Sequence, residues 1–148
     1  MAEHPLIDQY IRYFTGRGRK FFGRWLSRAD RYAPIMVPIL KDMGLPEDTI
    51  YLAMIESGFN AKAYSSAAAS GFWQFISSTG RRYGLKQNFW LDERRDFIMA
   101  TRSAARFLKD LHRKFGDWHL AWAGYNAGGG RIRRALKKYG VNDFWHLI

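Results

Sequence analysis

Apolar residues recur along most of the chain at helical spacing, and the breaks fall on glycine, proline and short polar clusters. Leu6, Ile7, Tyr10, Ile11 and Phe14 predict a first helix, stopped by Thr15-Gly16-Arg17-Gly18. A basic helix over residues 19–32 follows, with Phe21, Phe22, Trp25, Leu26 and Ala29 on one face. Pro34 then opens a third helix carrying Ile35, Met36, Ile39 and Leu40, with Pro38 early enough in it to be tolerated. Gly44-Leu45-Pro46 separates it from a short apolar helix whose start reads at Leu45-Pro46-Glu47-Asp48, with Pro in the first turn and acidic residues near the positive end of the dipole, and which stops at Gly58. Residues 60–70 are small and polar and predict a weak helix or a compact loop. Ser77-Ser78-Thr79 reads as the N-cap region of a short helix ending near Gly84, and residues 85–91 as a loop. Asp92 is expected to cap a long helix to about Lys114, with Phe97, Ile98, Thr101, Ala104, Ala105, Leu108 and Leu111 facing inward and Gly116 ending it. Trp118 to Tyr125 and Arg131 to Tyr139 predict two more helices around Asn126-Ala127-Gly128-Gly129-Gly130. Only Phe72 to Ile76 has a strand-like reading. The pattern predicts an all-α domain of roughly seven or eight helices with short connections.

Composition adds constraints. The 148 residues suffice for one domain with a sizeable core. Six Trp, eight Tyr and eleven Phe fill a core, some of such a set often lines a groove, and aromatic faces suit sugar rings or bases. A net charge of +11 implies an anionic partner: nucleic acid, acidic lipid or an acidic polymer such as the cell wall. With no Cys, disulfides and thiolate metal sites are excluded. No run approaches a membrane span, and the first residues lack the apolar core of an export signal. His4, His112, His119 and His146 show no zinc-type spacing, so no metal or other cofactor is expected. There is no G-x-S-x-G elbow and no phosphate loop.

One carboxylate stands out. Glu56 ends the apolar run Ile50-Tyr51-Leu52-Ala53-Met54-Ile55 and shares a helical face with Leu52 and Ala53. Burial and the negative end of the helix dipole both raise the pKa of a carboxyl placed there. A carboxylic acid kept protonated near neutral pH is what a general acid requires. A local cap or an arginine pair accounts for it equally well at this point.

Three islands mix glycine, aromatic and amide or carboxyl groups: Glu56-Ser57-Gly58-Phe59, Gly71-Phe72-Trp73-Gln74-Phe75 and Gly124-Tyr125-Asn126-Ala127-Gly128. With Ser65 nine residues after Glu56, their order and spacing resemble the lytic transglycosylases of the goose-type-lysozyme-like fold, closest to the membrane-bound lytic murein transglycosylase D group. Gly124 stands where that family usually has Ala. The resemblance covers about residues 17–139. It implies a lysozyme-like helical domain with an extra N-terminal helical segment: residues 1–43 packing on a catalytic core of residues 44–148, within a single domain 1–148. It also implies that Glu56 is the sole catalytic acid and then base, cleaving the bond between N-acetylmuramic acid and N-acetylglucosamine without water to leave 1,6-anhydro ends. By the same resemblance, Ser65 and Gln74 contact sugar, Ile76 lines the groove, Tyr125 hydrogen-bonds and orients Glu56, and Asn126 belongs to the same wall. Phe72 and Trp73 could stack on sugar or pack the core.

Family members usually continue past the last basic helix into a Glu-Thr-Arg-x-Tyr segment, and they carry an export signal and wall-binding repeats. The sequence lacks these, so a truncated groove is expected. The implied partner is the peptidoglycan glycan strand, in the cell envelope or periplasm, with peripheral or lipid-anchored membrane association in a longer protein. The alternatives are a hydrolysing muramidase of the same fold and a non-catalytic wall-binding module. A nucleic-acid binder has the charge but no recognition motif.

Overall fold

The computed structural model describes residues 4–148; the first three residues of the expected domain lie outside them. Among the described residues, seven α-helices and two 3-10 turns make up the regular structure and there is no named strand. Helix α1, Pro5–Thr15, starts with Pro at its first position and the His4 ring accepting from the Leu6 amide. Its stop at Gly16 is as expected.

Helix α2 differs from expectation. It runs unbroken over Arg19–Asp42, through both Pro34 and Pro38, where two helices were predicted. Each proline removes an amide and crowds the carbonyl four residues back, which in a free helix costs about 3 kcal/mol. Here both prolines are exposed, so water can take up the abandoned carbonyls. The opposite face buries Met36 and Leu40 completely and packs Phe22, Trp25, Ala29, Tyr32 and Ala33 against the core. Tertiary packing thus overrides the local break.

A 3-10 turn, Glu47–Thr49, leads into α3, Ile50–Ser57. Gly58 ends α3 in the left-handed region at φ +57°, with the Trp25 ring where a Cβ would stand, 2.3 Å away. Residues 59–76 contain no helix. They fold back through Ser65 N–H to Ala69 O, Gly71 N–H to Ala63 O and Ser70 N–H to Phe75 O. Phe59, Ala68 and Gln74 take positive φ without being glycine, so the surrounding contacts must hold this segment.

Helix α4 is Ser77–Arg82. Its N-cap is Ile76 with no side-chain cap bond, so the expected serine cap does not form. The long helix begins later than predicted. Asp92 caps a 3-10 turn, Glu93–Arg95, and Asp96 caps α5, Phe97–Phe115, by accepting from the Ile98 and Met99 amides. Ala100, Ser103, Ala104, Ala105, Leu108 and Leu111 are buried on α5, whereas Ile98, expected to face inward, is exposed. Helices α6, Trp118–Ala127, and α7, Gly129–Tyr139, complete the order. Helix α5 lies at the centre, against α2 and α6, and one apolar cluster joins residues of α2, α3, α5, α6 and the segment 59–76. Among the described residues no helix is long and apolar enough to cross a membrane.

Candidate active site

Glu56 sits in the last turn of α3, half-buried, on the face that carries buried Ala53. The other face of this apolar helix leaves Tyr51 and Ile55 exposed. Ser57, beside Glu56, ties the helix end to the 59–76 segment by donating to the Phe72 carbonyl at 2.8 Å. That segment forms one wall of a cleft of about 440 Å³ that includes Glu56, Ser65, Gln74, Ile76, Tyr125 and Asn126. All six residues singled out in the sequence therefore line one cleft, although they come from α3, the 59–76 segment, its junction with α4, and α6. Glu56 is the only carboxylate in the lining.

Burial pushes the Glu56 carboxyl above its ordinary pKa, and a hydrogen bond from the Asn126 amide to Oε1 at 3.3 Å partly opposes this. Tyr125 differs from what the resemblance implied. Its hydroxyl donates to the Trp73 carbonyl at 2.7 Å, and the side chain in hydrogen-bond contact with Glu56 is Asn126. Burial first, and the Glu56 charge second, hold the Tyr125 hydroxyl well above its usual pKa, so it stays a neutral donor. Its ring meets Trp73, Phe75 and Phe107, which fixes the wall behind Glu56.

Gln74 stands at φ +48° and spends both amide protons inside the wall, on Ala63 O at 3.1 Å and Gly71 O at 2.9 Å. Only its side-chain oxygen remains to accept from a ligand. The Ser65 oxygen accepts from the Ala69 amide at 3.1 Å, which leaves its proton to donate. Phe72 and Trp73 are core residues: Trp73 is fully buried and donates to Thr101 Oγ1 at 2.9 Å, so neither can stack on a ligand.

Arg94 locks the wall from behind. Its guanidinium is buried, forks onto both oxygens of Asp92, and donates to the Ala68 and Phe75 carbonyls at 2.9 and 3.0 Å. Gly71, at φ +82°, lies so close that a Cβ would meet the Arg94 carbonyl at 1.8 Å. Only glycine fits this approach.

Sequence reasoning missed Phe107 and Thr79 in the lining. Phe107 is three residues after Ala104 and four before Leu111, so helical periodicity held the signal; Thr79 follows Ile76 by three. Among the described residues no three His, Asp or Glu side chains gather as metal ligands.

The Transglycosylase SLT domain family profile matches residues 37–148. Over 136 residues the chain is 40% identical to the Membrane-bound lytic murein transglycosylase D of Escherichia coli (strain K12), covering 88% of this chain and 30% of that protein. It is also 39% identical over 111 residues to a Putative tributyltin chloride resistance protein of Alteromonas sp. (strain M-1), covering 74% of this chain and 54% of that protein. The chain thus spans a third to a half of the length of these relatives. The helical architecture is the lysozyme-like one of this family, and the chain belongs to the Transglycosylase SLT domain family.

Proposed function

We propose that this chain is the catalytic domain of a peptidoglycan lytic transglycosylase that works in the cell envelope. The observation that carries the reading is a single half-buried carboxyl, Glu56, with its pKa raised, in a cleft whose lining holds no second carboxylate. A two-carboxylate glycosidase needs a partner acid or nucleophile on the other side of the bond. A lytic transglycosylase needs one group used twice, and the lone carboxyl supports that.

Protonated Glu56 gives its proton to the glycosidic oxygen as the bond to muramoyl C1 breaks. The substrate's own N-acetyl oxygen supports the positive charge at C1. Glu56, now ionised and favoured in that form by the Asn126 amide, takes the proton of the muramoyl C6 hydroxyl. The C6 oxygen bonds to C1, closing a 1,6-anhydro ring with no water consumed. Ser65 donates to the sugar, the Gln74 oxygen accepts from it, and Ile76 supplies an apolar edge. Tyr125 acts through Trp73, holding the wall behind Glu56. Residues 1–148 are read as one domain, because one apolar cluster joins α2 to the remainder and α1 rests on α2 through Phe14 against Phe22 and Trp25. The glycan strand is the partner, and peripheral membrane association belongs to a longer protein that includes this domain.

Mass spectrometry of soluble products from purified sacculi tests the reading. Products ending in anhydro-muramic acid, lighter by one water than hydrolytic ones, are expected. Reducing-end products would make water the nucleophile and the enzyme a muramidase. Glu56→Gln should keep the fold and bind glycan while turnover falls by about 10²–10⁴-fold. Full activity in that variant would sink the assignment.

A further inference from the structure

A second pocket of about 470 Å³ opens beside the cleft, lined by Arg82, Asp110, Arg113, Lys114 and the Gly129–Gly130 backbone. Phe107 belongs to the walls of both, and Gly128 in the cleft is the chain neighbour of Gly129 in the pocket. The two spaces therefore share the Phe107 side chain and adjoin along the Gly128–Gly129 backbone.

The pocket is electropositive. It holds three cations and one carboxylate. Asp110 is already engaged, by Arg113 and by the Tyr83 hydroxyl at 2.9 Å. Arg82 and Lys114 have no carboxylate partner among the described residues; their charges lie over the rings of Tyr83 and Phe115 at 5.9 and 5.5 Å. Arg82 and Lys114, the two lining cations without a carboxylate partner among the described residues, carry the argument. The first turn of α7, with no side-chain cap on its amides, adds the same sign. An anion reaching this pocket would exchange water for charge-assisted hydrogen bonds. A neutral sugar ring gains nothing from it.

We propose that this pocket is a subsite for a carboxylate of the peptide attached to the glycan strand, so that the cleft reads sugar and the pocket reads peptide. The proposal rests on the peptidoglycan reading of the cleft. It predicts that the enzyme distinguishes peptide-bearing strands from bare ones through residues that take no part in bond cleavage.

The test compares the intact chain with the Arg82→Gln/Lys114→Gln double variant on peptide-bearing strands and on strands stripped of peptides by an amidase. KM for peptide-bearing strands should rise about tenfold, the worth of one charge-assisted contact, with kcat unchanged and bare strands cleaved as before. An equal loss on both substrates, or a change on neither, overturns the subsite. Failure of the glycan reading looks different: the unsubstituted chain would cleave neither substrate. Nuclear magnetic resonance then decides the pocket separately, using a stem tripeptide with free carboxylates and the same tripeptide amidated. Shifts of the Gly129 and Gly130 amides with the free acid alone, lost in the double variant, support the subsite. The same shifts with both peptides, or none with either, overturn it.

Discussion

The chemistry at Glu56 is a contest between two neighbours. Burial favours the protonated acid that the proposed reaction needs at its start, and the Asn126 amide favours the carboxylate that it needs at its end. Asn126→Ala removes the second influence and leaves burial unopposed, so the Glu56 pKa should climb further. The alkaline limb of the pH–rate profile, where the proposed general acid loses its proton, should then move to higher pH. An unchanged limb, with only the rate reduced, would make Asn126 a sugar contact and not a partner of the acid. The raised pKa was legible in the sequence, because an apolar helix ending in one carboxylate leaves that group little water. The identity of its partner was not. Tyr125 and Asn126 are adjacent, and which of them meets Glu56 depends on how α6 is rotated against α5. The Trp73 carbonyl, itself placed by the left-handed turn at Gln74, decides that by accepting the Tyr125 proton.

At the scale of elements, the cleft depends on a segment with almost no regular structure. Residues 59–76 are held by Ser57, by Gln74 and above all by Arg94, whose guanidinium serves Asp92 and two carbonyls at once. Arg94→Met should destabilise the fold by about 3 kcal/mol in urea unfolding, since it leaves Asp92 unpaired and two carbonyls unmet. Amide exchange across residues 63–75 should quicken at the same time. A stability loss without quicker exchange there would mean that Arg94 only packs. Lysine should not rescue it, because a single ammonium lacks the fork. The sequence showed where elements stop better than where they start. Gly58 and Gly116 end helices as expected, since both take left-handed φ at a C-terminus. Asp92 and Asp96 are equally good caps, and only the 3-10 turn between them decides which one opens α5. Prolines in α2 pointed to a boundary that the buried face of Met36 and Leu40 overrides.

Across the whole molecule, charge is the dominant surface property. Lys and Arg number 24 against 13 Asp and Glu, and among the described residues they pair with carboxylates only at Lys41–Glu47, Arg94–Asp92 and Arg113–Asp110. Binding of Glu56→Gln to sacculi should weaken about tenfold as salt rises from about 0.05 to about 0.5 M, because exposed charges are then screened. Affinity indifferent to salt would leave the cleft, and not the field, responsible for capture. The hydrogen bond between Asn126 and Glu56 also bears on the order of assembly. It joins groups 70 residues apart, and Tyr125 reaches Trp73 across 52, whereas Arg94 closes on Ala68 across 26. Contacts between distant parts of a chain form only after more chain has been ordered. The contacts within residues 59–76 and from Arg94 can therefore form while the cleft is still open on its α6 side. A nascent chain halted before α6 would already carry Glu56, yet have no closed cleft around it.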